Sequence, residues 1–208
     1  YLHPSDVNHA LEQFGRLGAI TTIGKSVLGK PVYALTFGQG SFKVLAWSQM
    51  HGNESTTTKA VLDVLNSFKT LSDDSLVKDV LSKMTIKIIL QLNPDGCEAY
   101  TRANANGIDL NRDAQNLTQP ESQALRTVFD HFKPNLCLNL HDQRTIFNVS
   151  GTHIPATVSF LSPAANPERT ITPTRAIAMD YIVEMNNVLQ QVIKDGVGRY
   201  DDSYNGNC

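Results

Sequence analysis

Runs of β-branched and apolar residues alternate along this chain with runs of helical period, and that alternation limits the fold more than any other feature. Residues 20–27 and 31–37 are β-branched or alternating, with Leu28-Gly29-Lys30 between them as a turn, and read as a hairpin. Residues 42–47, 85–92 and 135–140 read as further strands. A first helix is expected where Val7, Leu11 and Phe14 share a face, capped by Ser5 or Asp6, and a second from Ser55 to Lys69 over Val61, Leu62, Val64, Leu65 and Phe68. Thr118 and Glu121 are spaced as a capping box around Pro120, ahead of a stripe of Leu125, Val128, Phe129 and Phe132. A long helix from Pro173 carries Ala178, Tyr181, Ile182, Met185, Val188, Leu189 and Val192, closed by Gly196. Strands interleaved with amphipathic helices predict an α/β protein with a mixed, largely parallel central sheet, helices on both faces and a hairpin at one edge.

A chain of 208 residues suits one domain, read here as spanning 1–208. With 18 Lys and Arg against 20 Asp and Glu, the net charge of −2 gives no field that would gather nucleic acid or an anionic membrane. No apolar run approaches the roughly 20 residues that cross a bilayer. Cys97, Cys137 and Cys208 are an odd, sparse set without a C-x-x-C pair, which fits reduced thiols and a cytoplasmic setting. Cys137 lies within Leu136-Cys137-Leu138 and is expected to be buried.

The residues best suited to chemistry fall where strands end. His51 and Glu54, three apart in His51-Gly52-Asn53-Glu54, can reach one small cation, and His141, at the end of another strand, can supply a third donor. Two histidines and one glutamate leave a coordination position for solvent, the arrangement of a catalytic rather than a structural zinc site. Taken alone the pair is weak, since a histidine and a glutamate on a solvated loop look the same. Asn93-Pro94-Asp95-Gly96 reads as a strong turn. It is followed by Arg102, by Gly107-Ile108-Asp109-Leu110-Asn111-Arg112, and by Asn139-Leu140-His141.

In that order these motifs resemble the zinc metallocarboxypeptidases of the carboxypeptidase A-like family, from about residue 20 onward. The resemblance implies one Zn2+ per chain held by His51, Glu54 and His141, with Asp109 accepting the other ring proton of His51. It implies that Arg102 polarises the scissile carbonyl, and that Asn111 and Arg112 grip the free carboxylate of a peptide or acyl-amino-acid substrate. Tyr200 corresponds to a tyrosine that closes over substrate in relatives, with Tyr204 as a competitor. The sequence departs from the family in one respect. No glutamate after His141 matches the family's general base, whose strand would lie beyond Cys208; Glu168, Glu184 and Asp142 are the fallbacks. The chain is therefore expected to be a truncated catalytic domain that binds zinc and hydrolyses peptides poorly. Two rivals stand beside the peptidase. One is a zinc deacylase or amidase of the aspartoacylase or succinylglutamate-desuccinylase type, which shares the His-Gly-x-x-Glu element, with a murein-peptide amidase as a variant. The other is a catalytically silent peptide-binding module.

Overall fold

The computed structural model describes residues 2–143, 148–149, 152–164, 166–193 and 196–199. They fall into two compact units, Tyr1–Asp142 and Gln143–Cys208, each described by itself. The first contains α1 (Pro4–Gln13), β1 (Gly18–Lys25), β2 (Pro31–Gly38), β3 (Phe42–Ser48), α2 (Thr56–Thr70), α3 (Ser75–Lys83), β4 (Met84–Ile89), α4 (Pro94–Ala99), α5 (Leu110–Asp113), α6 (Pro120–Phe132) and β5 (Leu136–Leu140). The second contains β6 (Val158–Phe160), α7 (Pro173–Val192) and β7 (Val197–Arg199), with β6 and β7 paired in parallel.

The main sheet has the order β1-β2-β4-β3-β5 and is mixed, as the sequence implies. The hairpin forms its antiparallel edge and β2 pairs antiparallel with β4, while β3 lies parallel to both β4 and β5. Parallel pairing needs a crossover connection, which α2 and α3 supply between β3 and β4. Helices cover both faces. On one, Val7, Leu11 and Phe14 of the α1 segment and Val61 and Leu65 of α2 pack on Leu35, Phe37, Ala46 and Ile88. On the other, Leu110 and Val128 pack on Val32, Ala34, Leu45 and Ile89. Strand β2 sends Leu35 and Phe37 one way and Val32 and Ala34 the other, the period of two expected of a strand buried on both sides.

Several local expectations are corrected. His3 occupies the N-cap of α1, and Asp6, three residues on, accepts from its backbone N–H at 2.8 Å. Helix α3 was not anticipated. None of its residues is fully buried, and Asp74 caps it by accepting from Leu76 and Val77 N–H. The tetrapeptide read as a turn begins α4, with Asn93 as N-cap and Pro94 in the first turn. Gln119, not Thr118, is the N-cap of α6. Glu121 turns inward and is fully buried, accepting from Val27 N–H at 3.1 Å and from the Asn104 amide at 3.2 Å. Phe129 is exposed. Cys137 is exposed as well, because burial alternates along β5 and Cys137 takes the outward position. In α7 only Arg175 and Ile182 are fully buried, and Tyr181, Val188 and Val192 are exposed. No helix among the described residues is long and apolar enough to cross a membrane.

Candidate metal centre

Strands β3 and β5 run side by side in the same direction, and the register pairs Ser48 with Leu140. His51 and His141 therefore leave the sheet from the same end, three residues and one residue beyond that last pair. The chain turns sharply at Gln49, whose φ of 46° is left-handed. A non-glycine residue holds that conformation only when its surroundings fix it. Here they do: the buried Gln49 amide donates to Gly52 carbonyl at 2.8 Å, and its oxygen accepts from Thr58 at 2.8 Å and Gln91 at 2.9 Å. Both glutamine amides also reach the Cys97 sulfur at 3.2 Å.

The loop rests on α4. A Cβ added at Gly52 would lie 1.9 Å from the carbonyl carbon of Gly96, so only glycine allows the two backbones to meet. Asn53 N–H donates to Thr101 carbonyl at 3.1 Å and Glu54 N–H to His51 carbonyl at 3.1 Å. Asn93 Oδ1 accepts from Gly96 N–H at 2.8 Å and fixes the start of α4. Asp95 is buried, accepting from Leu28 N–H at 2.9 Å and from Lys30 Nζ at 3.0 Å, and so ties α4 to the hairpin turn. The sequence marks this seat by Asn93-Pro94-Asp95-Gly96, whose letters suit a turn and a helix start equally.

On this scaffold His51 Nδ1 lies 2.8 Å from Glu54 Oε1 and His141 Nδ1 lies 2.9 Å from Glu54 Oε2, with ring centroids 4.7 Å apart. His51 Nε2 faces Asp109 Oδ1 at 3.1 Å. Asp109 also caps α5 by accepting from Asn111 N–H at 2.9 Å, and its other oxygen accepts from Arg102 Nε at 2.9 Å. Arg102 Nη1 is 3.5 Å from Glu54 Oε1. Asn111 Oδ1 accepts from Asn139 Nδ2 at 3.3 Å, and Arg112 is exposed on α5. Tyr200 and Tyr204 lie outside the described residues. Of the fallback bases, Glu168 and Glu184 are exposed residues of the second unit, while Asp142 is bound through both oxygens to Thr56 and Thr57 N–H at 3.1 Å. That last arrangement escaped sequence reasoning, since nothing in a sequence pairs residues so far apart.

Burial works to raise the Glu54 carboxyl, but hydrogen bonds from His141 and His51, with their charge, outweigh it and lower the group from 4.5 to about 2. Asp109 is likewise opposed by burial and held below its ordinary value by the charges of His51 and Arg102 and by bonds from Arg102 and the Asn111 backbone. A neutral imidazole donates from one nitrogen only. His51, 2% exposed, faces a carboxylate at each nitrogen, and the tautomer that donates from Nε2 to Asp109 leaves the Nδ1 lone pair for a metal ion. Nitrogens of both histidines and a Glu54 oxygen lie within 4.8 Å of one another, a little wider than the span of two bonds of about 2.2 Å, so small side-chain rotations bring all three to one ion. The donor set thus fits a zinc-type ion.

Three protein donors at the C-terminal ends of neighbouring parallel strands define an α/β protein with a candidate catalytic metal site, because structural zinc normally takes four protein ligands. The chain belongs to the zinc carboxypeptidase family, whose model matches residues 6–206. It is 26% identical over 171 residues to carboxypeptidase SOL1 of Arabidopsis thaliana, a match covering 71% of this chain and 34% of that protein. Carboxypeptidase A of Helicoverpa armigera superposes with a TM-score of 0.73 at 19% identity, over 97% of this chain and 59% of that one. A murein-tripeptide amidase of Escherichia coli O157 superposes with a TM-score of 0.52 at 19% identity, over 89% of this chain and 74% of that one. The chain thus spans about a third of the curated relative's length, and the fold is shared by proteins whose names denote different substrates.

Proposed function

We propose that this chain carries the metal centre of a zinc-dependent carboxypeptidase, which removes a residue from a peptide by recognising its free terminal carboxylate. The observation that carries the reading is the convergence of two Nδ1 atoms and one carboxylate, with Asp109 on the far nitrogen of His51. In this reading His51, Glu54 and His141 hold the zinc, which supplies Lewis acidity and lowers the pKa of a water molecule. Asp109 keeps the proton of His51 on Nε2 and so directs the Nδ1 lone pair at the ion. Arg102, 43% exposed in its side chain and anchored through Nε to Asp109, has guanidinium donors left for a developing oxyanion. Asn111 and Arg112 stand in consecutive positions of α5, and an arginine offers the paired donors that suit a carboxylate.

A second reading, a zinc deacylase or amidase, is favoured by the likeness to the amidase, since the same donor set serves both reactions. The test is a comparison of three substrates with the zinc-loaded protein: a peptide with a free C-terminus, its C-terminal amide, and an N-acyl amino acid. Slow release of the terminal residue from the free acid alone, abolished by chelation, is expected. Equal cleavage of the amide, or cleavage of the N-acyl amino acid in preference to the peptide, overturns the carboxypeptidase reading.

A further inference from the structure

We infer that Asp142 is a positioning residue for the metal centre, one that fixes the separation of Glu54 and His141 by capping α2 from the end of β5. The inference rests on the metal reading above and adds to it a residue that is not itself a donor. Helix α2 begins without a cap of its own. Ser55 occupies the N-cap position but has helical dihedrals (φ −88°, ψ −9°) and makes no side-chain cap bond, and the first turn holds no acidic residue. Such an end leaves backbone N–H groups in need of acceptors. Thr56 N–H donates to Asp142 Oδ2 and Thr57 N–H to Asp142 Oδ1, each at 3.1 Å, from residues 86 and 85 positions away.

Asp142 also works in the opposite direction. Its backbone N–H donates to Glu54 Oε2 at 3.2 Å, the same oxygen that lies 2.9 Å from His141 Nδ1. Thr57 Oγ1 completes the seam by donating to Leu140 carbonyl at 3.3 Å. The β3–β5 ladder ends at the Ser48–Leu140 pair, so sheet hydrogen bonds fix neither Glu54 nor His141. Between them the seam does: residues 140–142 are bonded to 54–57 through one hydroxyl, two backbone amides capped by a carboxylate, and one amide on the ligand itself. Separation of the two donors is thereby set before any ion arrives, which removes an ordering cost from metal binding.

The experiment compares zinc affinity, by competition with a chromophoric chelator, in the wild-type protein and in Asp142→Ala, Asp142→Asn and Asp74→Ala. Asp74 caps α3 through Leu76 and Val77 N–H in the same manner but touches no metal ligand, and so controls for the loss of a helix cap. Asp142→Ala should bind zinc about tenfold more weakly or worse, the scale on which partners of metal ligands act. Asp142→Asn, which keeps one acceptor oxygen, should fall between it and wild type. Asp74→Ala should lose thermal stability with its zinc affinity unchanged. Backbone amides of Thr56 and Thr57 should exchange hydrogen faster in Asp142→Ala, a readout independent of activity. Should Asp142→Ala misfold, the Asp142→Asn comparison decides alone. Wild-type zinc affinity in the Asp142 variants, or a loss matched by Asp74→Ala, sinks this inference and leaves the metal reading standing. A wild-type protein that takes up no zinc sinks both.

Discussion

Replacing Asp109 by asparagine separates two duties that one carboxylate performs. Oδ1 accepts from both His51 Nε2 and the Asn111 N–H that starts α5, while Oδ2 accepts from Arg102 Nε. Asparagine is about as good a cap as aspartate, so its one carbonyl oxygen can keep α5 and His51 in place. Its amide nitrogen then faces Arg102 Nε, donor against donor, and turning the amide over moves the same conflict to His51. Either way one charge-assisted bond is lost, together with the negative charge that holds the proton on His51 Nε2. Loss of such a partner weakens metal binding by about 10- to 100-fold, or about 1.4–2.7 kcal/mol of binding free energy. Folding without metal should change by less than about 1 kcal/mol, because the cap survives. Asp109→Ala removes the cap too, at a further cost of about 1 kcal/mol in stability. The assay pairs zinc titration against a competing chelator with thermal melting of the metal-free protein. Wild-type affinity in Asp109→Asn, with melting unchanged, would refute the claim that Asp109 tunes His51; an equal fall in stability and affinity would make Asp109 a loop cap and nothing more.

Other outcomes follow from packing and charge. Gly52→Ala drives a methyl into the backbone of Gly96 and Cys97, at 1.9 and 2.2 Å, so melting should drop by the equivalent of about 1–3 kcal/mol and zinc affinity should fall with it; retention of both would show that the loop does not depend on this contact. Leu65→Ala, at a fully buried position beneath α2, should cost about 2–5 kcal/mol in denaturant unfolding. Asp113 is a buried carboxylate opposed by its burial and lowered by bonds from Thr118 and Gln119. Its folded pKa lies below the unfolded value of about 3.9, so it stabilises fully above that value and progressively less as pH falls through the folded one. Asp113→Asn should therefore flatten the acid limb of stability below about pH 4, and an acid limb unchanged from wild type would count against it.

Periodicity located the five strands of the main sheet, because burial on one or both faces of a strand writes a simple pattern, but not the three-residue strands β6 and β7, which are too short to write one. Helix α3 also lacks a clear stripe, since its Leu76 is 69% exposed and only Val77, Val80 and Leu81 are half-buried. At Asn93-Pro94-Asp95-Gly96 two rules use the same letters: asparagine and proline open turns and also cap and start helices, and α4 is the second case. Thr118 and Glu121 have capping-box spacing, yet the carboxylate is more valuable in the core, where it meets Val27 N–H and Asn104. Cys137 sits in an apolar run, but β5 is the outermost described strand of its sheet and alternates, leaving that thiol exposed. Proximity of His51, Glu54 and His141 is legible in the strand ends and in the family motifs. The geometry behind it, a Ser48–Leu140 register and a seam through Asp142, depends on pairings across some ninety positions that no local pattern records.

A division of labour among the motif residues emerges from these contacts. His51, Glu54 and His141 face one another as donors, but Gly52, Asn93, Asp95 and Gly96 make contacts that fix backbone. Gln49 and Thr58 add a buried polar network whose members satisfy one another, and such a network is rigid only when complete. A catalytic metal site needs ligands held within about half an ångström while one face stays open, and rigid contacts behind the ligands meet both demands at once. Substitutions at Gly52, Asn93 or Gln49 should thus weaken metal binding without touching the ion, whereas, under the carboxypeptidase reading, substitutions at Arg112 should spare the ion and change the handling of a carboxylate-bearing substrate.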